Sequence, residues 1–183
     1  MTPVVGFCGR AGAGKSTAAA ALVEAGFVRV KFAGALKVMM RAFYLAAGLS
    51  IDEIERRIEG DLKEEPDELL GGRTPRFAMQ TIGTEWGREI VSPDLWLRAW
   101  RGRVESVLRA GGRVVVDDLR FANEAEAVRR LGGRVVEITG REKAVEAHAS
   151  ESRDFAPDMT ISNTGTEAEL RGAALYIFGS DET

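Results

Sequence analysis

Near the start of the chain, Gly9-Arg10-Ala11-Gly12-Ala13-Gly14-Lys15-Ser16 stands between an apolar run, Val4 to Cys8, and an alanine-rich stretch ending at Ala25. The octet fits G-x-x-x-x-G-K-[ST] in full, and its flanks read as a buried strand before it and a helix after it. The pattern is geometric. Glycines let the backbone curl so that successive N–H groups face inward at phosphate oxygens, and the helix that follows adds its positive end. Lys15 is expected to reach the β- and γ-phosphates of a nucleoside triphosphate and the Ser16 hydroxyl to ligate Mg²⁺. Residues Gly9, Arg10, Ala11, Gly12, Ala13, Gly14, Lys15, Ser16 and Thr17 are therefore the predicted ATP-binding segment. A structural glycine turn would not need Lys-Ser at those positions.

Further along, strand-like and helix-like stretches alternate. Phe27 to Phe32 alternates apolar and basic residues, and Ala35 to Ala47 reads as a helix ended by Gly48. Ser50 with Glu53 three residues on predicts a capping box opening a charged helix to Gly60. Residues 61–76 are rich in charge, Gly and Pro and read as loop or mobile segment. A helix is predicted from Pro75 to Gly87, and another from Ser92-Pro93-Asp94 to Ala110. Then come a strand at Arg113 to Val116, a helix at 123–131, a strand at Arg134 to Thr139, a helix at 141–152, a strand at Met159 to Ser162 and a last helix at 166–178. This order predicts an α/β fold of the P-loop NTPase kind: a five-stranded parallel sheet with helices on both faces. A chain of 183 residues suits a single domain.

Val114-Val115-Val116-Asp117-Asp118 is a strand that ends in acid, where a Mg²⁺-proximal carboxylate needs rigid support. Asp117 and Asp118 would face opposite ways if the strand continued, and the reading leans to Asp117. A phosphoryl donor and a phosphorylated acceptor bring several negative charges together, which arginine holds well. The candidates are Arg120 just past the acidic strand end, Arg141 after the fourth strand, Lys37 and Arg41 at i, i+4 spacing, Arg73 and Arg76 around Thr74-Pro75, and Arg88. Any one of them alone is more often a solvated surface charge. Trp86, in Thr84-Glu85-Trp86-Gly87-Arg88, is a candidate to stack on a base, with core packing as the alternative; Trp96 and Trp100 read as core. His148, the sole histidine, has no partner at metal-ligand spacing, and Cys8, the sole cysteine, reads as a small core residue.

With 25 basic and 28 acidic residues the formal charge is −3, without the basic excess of a dedicated nucleic-acid binder. One cysteine excludes an intrachain disulfide and suits a reducing cytosol. No run approaches the roughly 20 apolar residues of a membrane helix, and MTPVVGFCGR has neither the charged start nor the long apolar run of a signal peptide. A cytoplasmic protein is expected, with a small-molecule partner, no nucleic acid and no membrane. Oligomeric state, a homodimer included, stays open.

The segments GFCGRAGAGKST, KFAGALK, TPRFAMQTIGTEWGRE, VVVDDLRFANEAEAVRRLGG and HASE…DMTISNTGTEAEL together resemble the bacteriophage deoxynucleoside monophosphate kinases, within the P-loop nucleoside monophosphate kinase group. The resemblance covers most of the chain, and QTIGTEWGR and DDLRFANE are its more specific parts. It implies an ATP:(deoxy)nucleoside monophosphate phosphotransferase using Mg²⁺, located in the host cytoplasm if phage-encoded. It also implies an acceptor section at about 33–88, with Lys37 and Arg41 near the acceptor phosphate and Glu85 and Trp86 near its base. Arg120 would bridge toward the transferring phosphoryl, and Arg141 would belong to a short lid at about 140–155. Asn163 to Thr166, Gly165 included, would lie near adenine. Dephospho-coenzyme A kinases and phosphomevalonate kinases look similar in the same places. A nucleotide-hydrolysing switch or motor subunit is the more distant alternative.

Overall fold

A computed structural model describes residues 2–140 and 154–179. Its first strand, β1 (Val4–Cys8, VVGFC), is buried along its whole length, as a central strand of a parallel sheet must be. The sheet continues with β2 (Phe27–Arg29), β3 (Arg113–Val116), β4 (Arg134–Thr139) and β5 (Met159–Ser162). The order is β2-β3-β1-β4-β5 and every pairing is parallel. β3 is in register with β1 at Val4↔Val114, Val5↔Val115 and Gly6↔Val116. The loop after β1 and the acidic end of β3 therefore emerge side by side at the carboxyl edge.

Strand alternation covers both faces. Val5, Phe7, Val115, Val136 and Ile138 pack with Ala18, Ala19 and Leu22 of α1 (Lys15–Glu24) and with Leu170, Ala174 and Phe178 of α7 (Glu167–Phe178). On the other face Gly6 lies against Leu119 and against Val128 of α6 (Ala122–Arg130), so closely that an added Cβ would stand 2.8 Å from the Leu119 side chain. This is the P-loop NTPase architecture expected from the alternation of elements. β2 ends at Arg29, short of the expected Phe32, because the Phe32 N–H is taken by an Asp118 carboxylate oxygen at 2.9 Å and no longer by a strand partner.

The chain divides into two compact units, Met1–Phe32 with Arg101–Thr183, and Ala33–Trp100. The acceptor section expected at 33–88 falls within the second. That unit holds α2 (Gly34–Ala46), α3 (Ile51–Ile58), two short 3₁₀ turns (Asp61–Glu64 and Glu68–Leu70), α4 (Pro75–Thr81) and a π-helical stretch, Ile82–Val91. Helix α5 (Leu95–Arg109) begins in it. Leu36, Met40 and Tyr44, one turn apart on α2, pack with Ile54 and Ile58 of α3, Met79 and Trp96. Ser50 and Glu53 cap α3 reciprocally, as their spacing predicts.

The segment read as loop or mobile, 61–76, carries the two short 3₁₀ turns and is anchored at Asp67. This carboxylate is buried and accepts from Tyr44 (2.9 Å), the Arg57 guanidinium (2.9 Å) and the Leu69 N–H (2.9 Å). Its backbone N–H bonds the Arg73 carbonyl.

Candidate active site

The loop after β1 has the curled form that its glycines permit. Gly9, Gly12 and Gly14 have φ of +136°, +80° and +104°. A Cβ on Gly9 would lie 2.4 Å from the Ile138 carbonyl oxygen, so only glycine fits against β4 there. No side chain caps α1, and its first turn carries no acid. Its positive end is left to attract an anion. The Lys15 ammonium donates to the carbonyls of Gly9 (2.8 Å) and Arg10 (2.7 Å) and so folds back over the loop. Gly12, Gly14, Lys15, Ser16 and Thr17 line a cavity of about 260 Å³. Arg10, Ala11 and Ser16 are exposed and Ala13 is buried.

Asn163, at the end of β5, is buried and donates from Nδ2 to the Ala13 carbonyl at 2.9 Å, tying the loop to the sheet. Gly12, Gly14, Thr17, Asn163, Glu167 and Leu170 line a smaller cavity of about 120 Å³. Of the expected segment Asn163 to Thr166, Asn163 is thus brought to the loop. Gly165 stands just before Thr166, whose capping box with Glu169 opens α7.

At the end of β3 the two acids differ. Asp118 Oδ1 accepts from the Phe32 N–H. The Asp117 side chain is only 1% exposed and faces two cations: Arg29 Nη1 is 3.7 Å from Oδ2, and Lys31 Nζ is 3.9 Å from Oδ1. Among the described residues neither of the buried Asp117 oxygens has a hydrogen-bond partner, nor has the buried Arg29 Nε. Arg120 is exposed, but its backbone is fixed: Glu124, itself buried, accepts from the N–H groups of Arg120 (2.8 Å) and Phe121 (3.1 Å). Arg141, His148 and most of the expected lid, residues 141–153, lie outside the described residues.

For Mg²⁺, the exposed Ser16 hydroxyl at the first turn of α1 fits as a ligand, since this ion keeps most of its waters and takes few protein oxygens. Asp117 is already compensated by two cations. Among the described residues no group of three or more His, Cys, Asp or Glu side chains is placed to cage a metal.

In the second unit the expected acceptor cations are all engaged. Lys37 pairs with Glu59 at 2.5 Å. Arg41 donates from Nε and Nη2 to the two oxygens of Glu55 at 2.5 and 2.9 Å, and this bond holds the Glu55 carboxyl below its usual range. Arg76 pairs with Glu64, and the Arg73 guanidinium lies 5.0 Å from the centre of the Phe77 ring. Arg88 donates to the Pro93 carbonyl at 3.3 Å. Glu85 and Trp86 stand on the π-helical stretch, both exposed. Trp86 is 40% exposed with its ring 6.2 Å from that of Trp96, whereas Trp96 and Trp100 are buried, as core residues should be.

No protein-family profile matches the chain. Over 146 residues, 74% of this chain and 72% of the relative, it is 34% identical to a protein of Acanthamoeba polyphaga mimivirus named "Putative deoxynucleotide monophosphate kinase". The chain belongs to the deoxynucleotide monophosphate kinase family. Among solved structures, TT1252 from Thermus thermophilus matches with a TM-score of 0.52 at 18% identity over 96% of both chains, a likeness of fold alone. An APS kinase of Mycobacterium tuberculosis (TM-score 0.47, 16% identity, 98% of both chains) is too distant to add to that.

For a kinase of this family, four residues stand near the expected ones without an obvious signal in the sequence: Glu124, Lys63, Arg29 and Lys31. Glu124, which fixes the backbone of Arg120, follows Phe121 and so lacks the Ser/Thr that makes Ser50 and Glu53 a recognisable capping box. Lys63 is half-buried, and burial, with Lys37 and Arg76 nearby, pushes its ammonium below the usual lysine range. Arg29 and Lys31 look like ordinary strand residues in FVRVKF, and only the neighbouring strand reveals what they face.

Proposed function

We propose that this chain transfers the γ-phosphoryl group of ATP to a deoxynucleoside monophosphate, yielding the diphosphate and ADP. The observation that carries the reading is the loop of Gly9 to Ser16: three glycines with positive φ, an uncapped α1 and an ammonium folded over the cavity. The mimiviral relative's name supports the choice of acceptor.

Phosphoryl transfer asks for in-line positioning, charge neutralisation and exclusion of water, not for a general base. Loop N–H groups and the α1 terminus hold the phosphate chain. Lys15 leaves the Gly9 and Arg10 carbonyls for the β- and γ-phosphates, and Arg120 supplies a further positive charge to the transferring group. Asn163 keeps the loop in register with β5. Mg²⁺, when bound at Ser16, adds charge neutralisation to the phosphates. In the second unit, Arg41 and Lys37 exchange their carboxylate partners for the acceptor phosphate, and Trp86 offers its exposed face to the base.

The deciding experiment is ADP release measured over a panel of ribo- and deoxynucleoside monophosphates, dephospho-coenzyme A and phosphomevalonate. Turnover on a deoxynucleoside monophosphate well above the others is expected. Turnover confined to a non-nucleotide acceptor, or ATP hydrolysis indifferent to every acceptor, refutes the assignment.

A further inference from the structure

Asp117 has a setting unlike that of a metal ligand. Its carboxylate is buried, has no hydrogen bond to either oxygen among the described residues, and is balanced by Arg29 at 3.7 Å and Lys31 at 3.9 Å. A desolvated carboxylate is retained only where cations compensate it. Here two positive charges face one negative charge, and a dication on the same oxygens would meet both. Arg29 also reaches the other way. Its Nη2 donates to the Ser16 carbonyl at 3.4 Å, while its Nε is buried and unpartnered. One side chain thus links the end of β3 to the first turn of α1, at a residue that lines the phosphate cavity. β2 is the sheet's edge strand and touches β3, not β1, so this guanidinium spans what backbone pairing leaves unjoined.

We propose that Asp117 is a positioning residue: it holds Arg29, and through Arg29 the backbone of Ser16, in the geometry that receives the phosphate chain. It does not ligate the metal. Lys31 is the second counter-ion of the same carboxylate. The inference rests on the nucleotide-binding role of the loop proposed above. It differs in what it predicts without metal, because a ligand of Mg²⁺ has no work to do in chelator whereas a strut does.

The test uses the full chain with Asp117→Asn, Arg29→Gln and the double variant. ATP affinity is read by calorimetry in EDTA, at a temperature where circular dichroism shows each variant folded. Amide hydrogen exchange of the peptide spanning residues 9–18 is read in protein without nucleotide. Each single variant is expected to weaken metal-free ATP binding about ten-fold, the usual size for losing a group that orients a contacting one. Exchange in the 9–18 peptide should quicken several-fold. The double variant should be no weaker than the weaker single one, because both remove one strut.

Unchanged affinity in EDTA and unchanged exchange, whether or not the Mg²⁺ requirement of turnover rises, overturns the proposal; a rise would mark Asp117 as a ligand after all. Additive losses overturn it too. If Asp117→Asn does not fold, Arg29→Gln alone decides, and wild-type affinity and exchange in that variant sink the idea. Failure of the wild-type chain to bind ATP even with Mg²⁺ would instead remove the reading of the loop. If it binds only with Mg²⁺, the exchange measurement decides.

Discussion

Gly14 offers the sharpest single test of how the loop is built. Its φ of +104° lies where an L side chain is strained, at a cost of roughly 1–3 kcal/mol. An added Cβ would also stand 2.6 Å from Asn163 Nδ2 and 2.7 Å from Leu170 Cδ2. Neither neighbour moves freely: Asn163 is buried and bonded to the Ala13 carbonyl, and Leu170 belongs to the core. Overpacking of this kind adds about 1–3 kcal/mol. Gly14→Ala should therefore lose roughly 2–6 kcal/mol, and at about 2–4 °C per kcal/mol in a domain this size the melting temperature should fall by roughly 4–24 °C. Gly102 supplies the control. It lies within α5 with nothing within 4 Å of an added Cβ, so Gly102→Ala should raise stability by about 0.5–1 kcal/mol through helix propensity. Differential scanning calorimetry of the two variants reads both signs. A Gly14→Ala protein melting within about 2 °C of wild type would show that the loop relaxes where the packing says it cannot.

Lys15→Ala should lower phosphoryl transfer at least about a hundred-fold, the scale of one preorganised donor, with the circular dichroism of wild type; near-normal turnover would refute the proposed mechanism. Arg41→Gln should raise the acceptor KM several-fold while leaving the KM for ATP alone, and an equal rise in both would place Arg41 outside acceptor binding. Burial, with the bond to Asp67 and that residue's charge behind it, raises the Tyr44 hydroxyl well above the ordinary tyrosine range. The folded state thus keeps a proton that the unfolded chain releases near pH 10, so stability should fall as pH rises past about 10. Urea titrations should show that loss in wild type and a smaller one in Tyr44→Phe. An equal alkaline loss in both would assign it to other groups.

What the sequence made legible is what local rules decide. The capping box at Ser50/Glu53, the helix start at Pro75 and the strand–loop–helix of the phosphate loop each depend on residues a few positions apart. What it hid depends on partners far along the chain. The helix expected from Pro75 to Gly87 turns π-helical at Ile82. There Gly87 lies against the Trp96 indole, with room for no Cβ, while the indole N–H bonds the Gly83 carbonyl at 2.8 Å. Nothing in TEWGR announces that widening. Likewise the charge-rich stretch 61–76 looks unanchored until Tyr44 and Arg57 are seen to converge on Asp67. In the candidate site, the loop was readable because its chemistry is contiguous. The cations around Asp117 were not, because alternation in FVRVKF states only that Arg29 and Lys31 share a face.

The consecutive acids at the end of β3 show how one short segment can serve two structural ends. Asp118 takes the Phe32 N–H and so terminates β2. Asp117, one residue earlier, takes the two cations that β2 and its continuation present. Each acid joins the same two neighbouring segments, one through backbone and one through charge. Position along the strand is what separates the roles: β3 ends at Val116, so the chain has left the strand where Asp117 and Asp118 begin and they need not face opposite sides of the sheet. Exchanging the pair's charges singly should then give distinct failures. Asp118→Asn keeps an oxygen to accept the Phe32 N–H and should change stability by less than about 1 kcal/mol. Asp117→Asn removes the carboxylate that Arg29 faces and should be felt at Ser16. Equal effects from the two variants in urea titration and in metal-free ATP binding would show that the acids act as one undifferentiated negative patch.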